Sequence, residues 1–438
     1  MVTLIRGARL VDPQLNLDAI GDVLIAADGL IEEVDIVEDG GSRISAPDGA
    51  CVIDGTGKIL IPGPIDLHVH LREPGQEYKE TILTGTRAAA HGGWVGVCAI
   101  PNTEPVADEG ATIRNVLDRA AETAYVPVYP YGAITRGQAG KQLAEISDML
   151  DAGAVGFTDD GHGVQNPLMM RRAMEYAKVF DALILAHAED EQLADGGVVN
   201  EGRVATRLGL PGQTGLAESL QVIRDIELAR LTGARLHICH VSTKESVAAI
   251  RAAKAAGVRV TAEATPHHLV LNENALSYDY DTRLKMAPPL RSEADRKALV
   301  AGLVDGTIDA IATDHAPHAK QEKELEFELA KFGTTGLETA IPVLLTDLVA
   351  TGQVDLPCLV ERLSAGPRRV LGLESVLLQP GCVADLTLID PEATVTVTED
   401  WLVGKSKNSA FIGRELRGAA TDVFVEGVRV MADGVVCD

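Results

Sequence analysis

The chain has 438 residues, 46% hydrophobic and only 3% aromatic, with a formal net charge of −25. That length exceeds one simple core and calls for a large domain with a smaller companion, its interior mostly aliphatic and alanine. The charge comes without basic clusters, which excludes a protein that neutralises nucleic-acid phosphates, and an anionic substrate would need local positive charge from a metal or an arginine.

The opening "MVTLIRGARLVDP" is too mixed for a signal peptide. Residues 1–55 read as short strands and turns, in "TLIRGARLVD", "GDVLIAADGLIEEVD" and "CVIDGTGKILIPG", with Gly and Asp-Gly punctuation between apolar runs. From about residue 56 the pattern changes. Strand-like runs "ILIPGPIDLHVH", "WVGVCAIPNT", "YVPVYPYGA", "GAVGFTDDG", "ALILAHAED", "ARLHICHVS", "VRVTAEATPHH" and "IDAIATDHAPH" alternate with helical patterns such as "YKETILTGTRAAAHGG" and "KESVAAIRAAKAAG". Eight strands, each followed by a helical or mixed segment, predict an α/β fold of the (β/α)8 TIM-barrel type over 56–372. A doubly wound open sheet would need a glycine-rich first βα turn, and "GTG" at Gly55 to Gly57 is too short for one. The C-terminal stretch returns to β character in "VADLTLIDP", "ATVTVTED" and "DVFVEGVRVMADGVVCD". Residues 1–55 and 373–438 are therefore expected to pair into one small composite β domain. No apolar run approaches the ~18 residues of a membrane span. The six cysteines form no CxxC pair, which suggests reduced thiols in a cytoplasmic protein.

The eleven histidines are the most informative feature. His68 and His70 end the first barrel strand, His187 the fifth and His240 lies in the sixth; Asp160 ends the fourth and Asp314 the eighth. The C-terminal strand ends of such a barrel form its active face, so these six side chains should converge there. His68 and His70 share a face because side chains alternate along a strand. Imidazole and carboxylate suit Zn²⁺ and similar divalent ions, and four His with two Asp suffice for two adjacent metals. A lone His on a strand is usually a satisfied polar residue; the joint placement is what argues for metal. Of the others, His91 is expected on the surface, His162 in a loop, and His237 on the face opposite His240. His267 and His268 are expected at the end of the seventh strand, where adjacent residues cannot both point inward.

The set "DLHVHLREPG", "PNT", "FTDDG", "AHAED", "HVST" and "ATDHAPH" resembles dihydroorotase of the amidohydrolase superfamily, in its longer bacterial type I form, over nearly the whole chain. The resemblance implies a role for each matching position. His68, His70, Asp160 and Asp314 correspond to ligands of a first Zn²⁺, and Asp160, His187 and His240 to those of a second, with Asp160 bridging; two metals per subunit are expected, and one alone is the alternative. Many superfamily members carry a carboxylated lysine on the fourth strand, but "GAVGFTDDG" has none, in keeping with the type I pattern. The neighbouring Asp159 should point the other way. Arg72, Asn102 and His318 correspond to residues that hold the substrate carboxylate, His70 also borders the substrate, and Phe332 and Gly333 to a loop closing on the pyrimidine ring. One departure is "KMAPPLR", where Ala287 stands in place of the family's usual Asn.

The implied reaction is the reversible opening of (S)-dihydroorotate to N-carbamoyl-L-aspartate in de novo pyrimidine (UMP) biosynthesis. A metal lowers the pKa of bound water to about 7, giving a bridging hydroxide, and Asp314 carries the proton as general base and acid. Arg72 beside the histidine pair suits a carboxylate, since guanidinium binds it through paired charge-assisted bonds; its bland alternative is a surface ion pair with Glu73 or Glu77. Three other readings compete: dihydropyrimidinase, allantoinase, and a non-catalytic homologue that partners aspartate carbamoyltransferase. The first has substrates without the ring carboxylate that Arg72 would serve, the first two usually carry the fourth-strand lysine, and the third typically loses metal ligands. Association with that transferase and a homo-oligomeric state are expected; "HAKQEKELEFELAKFG" and "TTGLET" are the lid candidates.

Overall fold

The computed structural model describes residues 2–37 and 44–437. Its centre is a closed parallel ring. Strand Ile65–Val69 pairs with Gly96–Ala99, which pairs with Val128–Pro130. The round continues through single bridges, Gly132 to Phe157 and Phe157 to Ile184. Leu183–Ala186, Arg235–Ile238, Val260–Ala264 and Ala310–Ile311 then pair in parallel. A bridge from His315 to Val69 closes the ring. This is the (β/α)8 barrel expected from the alternation, and β-branched and aliphatic side chains such as Ile65, Leu67, Val97, Ile184, Leu236 and Ile238 form its buried core.

The fourth strand shrinks to the one bridging residue Phe157. Glycines at 153 and 156 leave few side chains to pack there, which weakens a strand. The outer helices start where the sequence supplies caps. Thr243 accepts the Ser246 backbone N–H ahead of Lys244–Ala255, and Ser292 with Asp295 forms a capping box on Glu293–Val304. The first of these helices buries Val247, Ile250 and Ala253, three residues apart, against the ring.

The chain ends share a second layer. Ile59–Pro62 runs parallel to Thr3–Asp12 and antiparallel to Leu386–Thr396, so one nine-stranded sheet unites N-terminal and C-terminal strands. Its core holds Ile5, Leu10, Val23, Leu60, Leu386, Leu388 and Phe424. Between Leu386–Thr396 and Glu415–Val425 the chain leaves the sheet and lies against the barrel. There Asn408 reaches the loop after the Ala310–Ile311 strand. Among the described residues no helix is long and apolar enough to cross a membrane.

Three local expectations change. His267 and His268 lie in the short helix Pro266–Val270, not on a strand, because Pro266 at the first turn and the Thr265 cap start a helix there. His91 is half-buried, not on the surface: its ring packs edge-on against Trp401 from the C-terminal excursion, centroids 5.1 Å apart. His237 does not face away from the site, for its Nε2 lies 3.1 Å from Glu263, which also holds His68. The strand ends at Ile238 and His240 has a left-handed φ of 33°, so strict alternation does not carry across those three residues.

Candidate metal centre and substrate cleft

All six His and Asp side chains meet at the C-terminal mouth of the ring. Asp160 is their hub: its Oδ1 lies 3.4 Å from His68 Nε2, 3.2 Å from His187 Nδ1 and 3.3 Å from His240 Nε2, while Oδ2 lies 3.6 Å from His70 Nε2. Asp314 Oδ1 approaches His70 Nε2 at 3.2 Å and His68 Nε2 at 3.8 Å. Within these six, two groupings offer three donor atoms each within 4.8 Å of one another: His68, Asp160 and His240, and His68, His70 and Asp314. All of these side chains are buried.

The donor set fits a divalent cation. His68 Nδ1 is held by Glu263 at 2.8 Å, whereas its Nε2, aimed into the cluster, has no hydrogen-bond partner among the described residues. A buried ring nitrogen left so is costly unless something accepts its lone pair. The electrostatics agree. Burial opposes charge on both groups, yet Asp160 drives the His68 imidazole well above its usual range, and His68 in turn holds Asp160 well below the usual carboxylate range. The pocket therefore draws positive charge inward, and protons or metal can satisfy it.

Asp159 points elsewhere, accepting from the Ile134 and Thr135 backbone at 2.8 and 3.0 Å and from the Thr135 hydroxyl. His162 sits at the exposed rim with Glu191 3.7 Å away.

The cluster floors a cleft of about 820 Å³. Arg72, Asn102, Ala287, His318, Phe332 and Gly333 line it too. Arg72 is 7% exposed and has no carboxylate partner within ion-pair distance among the described residues, so neither Glu73 nor Glu77 claims it. Its Nε donates to Pro317 O at 3.2 Å, and burial pulls the guanidinium down to about 10, leaving it charged at neutral pH. Asn102 Oδ1 lies 3.0 Å from His70 Nδ1. With that oxygen accepting, the amide N–H groups remain for a ligand. His318 Nε2 donates to Phe332 O at 2.8 Å; burial and the Arg72, Lys79 and Lys323 cations keep the ring neutral, with a pKa near 2. Gly333 has φ 135°, and a Cβ there would sit 2.7 Å from Ala316 Cβ, so the loop can close this tightly only with glycine.

Several residues that shape the site gave little sequence signal. Glu263 is the one charged residue in the barrel strand "VTAEA", and that mismatch could have flagged it. Asn408, some ninety residues downstream, has no local signature: it accepts the His318 backbone N–H at 3.1 Å and donates to Ala316 O and Gly333 O, each at 3.1 Å.

A family model described as dihydro-orotase-like matches residues 57–246. The chain is 49% identical to a dihydroorotase of Pelotomaculum thermopropionicum over 436 residues, covering 100% of both. It is 47% identical to one of Geobacter metallireducens, covering 98% of this chain and 99% of that one. Among solved structures it resembles an L-hydantoinase (dihydropyrimidinase) from Arthrobacter aurescens, with TM-score 0.85 and 25% identity over 100% of this chain and 98% of the other. The dihydropyrimidinase of Brevibacillus agri, with TM-score 0.83 and 24% identity over 100% and 96%, shares the fold.

Proposed function

The chain belongs to the dihydroorotase family of cyclic amide hydrolases, and from that premise we propose that it interconverts (S)-dihydroorotate and N-carbamoyl-L-aspartate with two Zn²⁺ ions at the barrel mouth. The observation that carries the reading is one cleft that joins the Asp160-centred cluster to a buried, unpaired Arg72. A carboxylate on the substrate answers the second feature and a hydrolysable amide the first. Neutral-ring relatives of the substrate leave Arg72 without a partner, which costs binding free energy.

In this reading His68, His70, Asp160 and Asp314 hold one ion, and Asp160, His187 and His240 the other. Zn²⁺ supplies Lewis acidity and a water acidic enough to ionise near neutral pH. The protein's own groups do the rest. Arg72, Asn102 and His318 bind the ring carboxylate and set the scissile amide over the cluster. Phe332 and Gly333 close over the ring and exclude water. Asp314, 3.2 Å from His70 Nε2, takes the proton of the attacking water. It then delivers that proton to the ring nitrogen as the C–N bond breaks. The carbonyl carbon becomes the new carboxylate as its remaining hydroxyl proton passes to solvent, and the reverse reaction uses the same groups. Asn102 serves both ends, since the amide that faces the substrate also orients His70.

The test is a hydrolysis assay with dihydroorotate, dihydrouracil, hydantoin and allantoin, with and without a chelator. Dihydroorotate turnover that a chelator abolishes and Zn²⁺ restores is expected; no turnover of dihydroorotate refutes the reading. Metal analysis expects two ions per subunit, one of them lost in His187→Ala. Self-association and association with aspartate carbamoyltransferase complete the proposal, checked by sizing the chain alone and mixed with that enzyme.

A further inference from the structure

Beneath the cluster the barrel holds a second polar tier that the steps above do not use. Glu263, in the Val260–Ala264 strand, is fully buried where a parallel barrel strand ordinarily places an aliphatic residue. A carboxylate so placed persists only if its oxygens are fully engaged. They are: Oε1 lies 2.8 Å from His68 Nδ1 and 3.4 Å from the His240 backbone nitrogen, and Oε2 lies 3.1 Å from His237 Nε2. On its far side His237 Nδ1 is 2.8 Å from the Thr261 hydroxyl.

The hydrogens follow from these contacts. An ionised carboxylate only accepts, so the ring nitrogens facing it carry hydrogen. His68 therefore carries hydrogen on Nδ1, which leaves Nε2, the atom that has no hydrogen-bond partner among the described residues, to give up the proton that Asp160 draws in and present its lone pair to a metal. His237 donates through Nε2 and accepts the Thr261 hydroxyl at Nδ1. Each donor in the chain Thr261, His237, Glu263, His68 thus meets an acceptor.

We propose that Glu263 is a positioning residue of the metal centre: it locks His68 in the tautomer that ligates through Nε2, and it ties the strand carrying His68 to the segment carrying His240. Its negative charge also makes His68 Nε2 a stronger donor to metal. The inference rests on the metal-centre reading above. A separate ion held by His68, Cys239 and Glu263, whose donor atoms also lie within 4.8 Å, is the weaker account. Both Glu263 oxygens and His68 Nδ1 are already engaged by protein groups.

The experiment compares Zn²⁺ affinity of the wild type and Glu263→Gln by chelator competition, with Co²⁺ absorption spectra of both. An amide offers one acceptor to two N–H groups, so one imidazole must change tautomer, and the charge is lost in either case. The expected result is a dissociation constant raised about 10- to 100-fold, an altered Co²⁺ spectrum, and a KM for dihydroorotate within about twofold once metal saturates, because the substrate contacts are untouched. Equal affinity and an unchanged spectrum in a folded Glu263→Gln overturn the inference. Should that variant not fold, ¹⁵N-histidine spectra of the zinc-loaded wild type decide: His68 must show metal at Nε2 and hydrogen at Nδ1, and the opposite arrangement overturns it. A wild type that binds no metal would instead sink the metal-centre reading.

Discussion

The two ends of the cleft are built differently. The metal end takes its six side chains from strand ends around one closed ring, and ring closure itself brings them together. The other end, proposed above to bind the substrate carboxylate and called the carboxylate end here, takes Arg72, Asn102, His318, Phe332 and Gly333 from loops, and those loops are tied by distant residues. Asn408 from the C-terminal excursion clamps the Ala316, His318 and Gly333 backbone. Lys323 donates to Lys331 O and Gly333 O at 2.8 and 2.9 Å. On the proposed reading, chemistry sits on the ring, while recognition sits on loops that can be repositioned without disturbing it. If this division is real, substitutions at the first end should act on kcat and metal content, and those at the second on KM.

The largest effect is expected for Asp314→Asn. The amide cannot accept the proton and is a poorer ligand, so kcat should fall about 10³-fold or more, within the range lost when a general acid–base is removed. KM should change little, because no carboxylate contact is lost. Steady-state kinetics with metal content measured on the same sample checks this. A rise in KM alone would erase the contrast between the two ends.

How much of this contrast is legible in the sequence follows the same division. The metal end is readable because strand period and barrel geometry are local rules: "HVH" places His68 and His70 on one face without knowledge of any partner. The rule weakens where strands are irregular. Phe157 alone represents the fourth strand, and the left-handed backbone at His240 breaks the alternation that would have set His237 and His240 on opposite faces. The carboxylate end is readable only through the family motif, since neither Arg72 nor His318 has a periodic signal. Asn408 is not readable at all, because its contacts span some ninety positions and join two layers. The pairing of the two chain ends is suggested by their shared β character, but the strand Ile59–Pro62 that joins them is visible only in the register.

Next in size is Arg72→Met. Removing a buried charge partner of the substrate carboxylate should raise KM for dihydroorotate about 100-fold, equivalent to ~2.7 kcal/mol. Zn²⁺ stoichiometry should stay as in the wild type. Arg72→Lys should recover only part of the loss, because an ammonium cannot reproduce the paired geometry of guanidinium. Asn408→Ala comes third. It leaves the His318 N–H and the Ala316 and Gly333 carbonyls without their partner. A KM increase of about 3- to 10-fold is expected, in line with ~1 kcal/mol of net hydrogen bonding. An equal fall in kcat would mean that the C-terminal excursion also positions the metal end.

The smallest effect should run in the other direction. Ala287 lines the cleft beside these loops, at the position where the sequence resemblance implies an Asn. Its methyl group offers a bound pyrimidine ring nothing to pair with, whereas the backbone there can still contribute. Ala287→Asn adds an amide at the rim of an 820 Å³ cleft, which has space for it. One added hydrogen bond to a neutral ring atom is worth about 0.5–1.5 kcal/mol. KM for dihydroorotate should therefore fall about 2- to 10-fold while kcat stays level. N-carbamoyl-L-aspartate, whose ring is open, should gain less, and the ratio of the two effects measures how much of the contact depends on the closed ring. Since the overall equilibrium is unchanged by any substitution, a gain confined to one substrate must appear as a compensating shift in the ratio of forward to reverse kcat. Measuring both directions on one preparation tests this, and equal gains for both substrates would place the new contact on the shared carboxylate rather than on the ring.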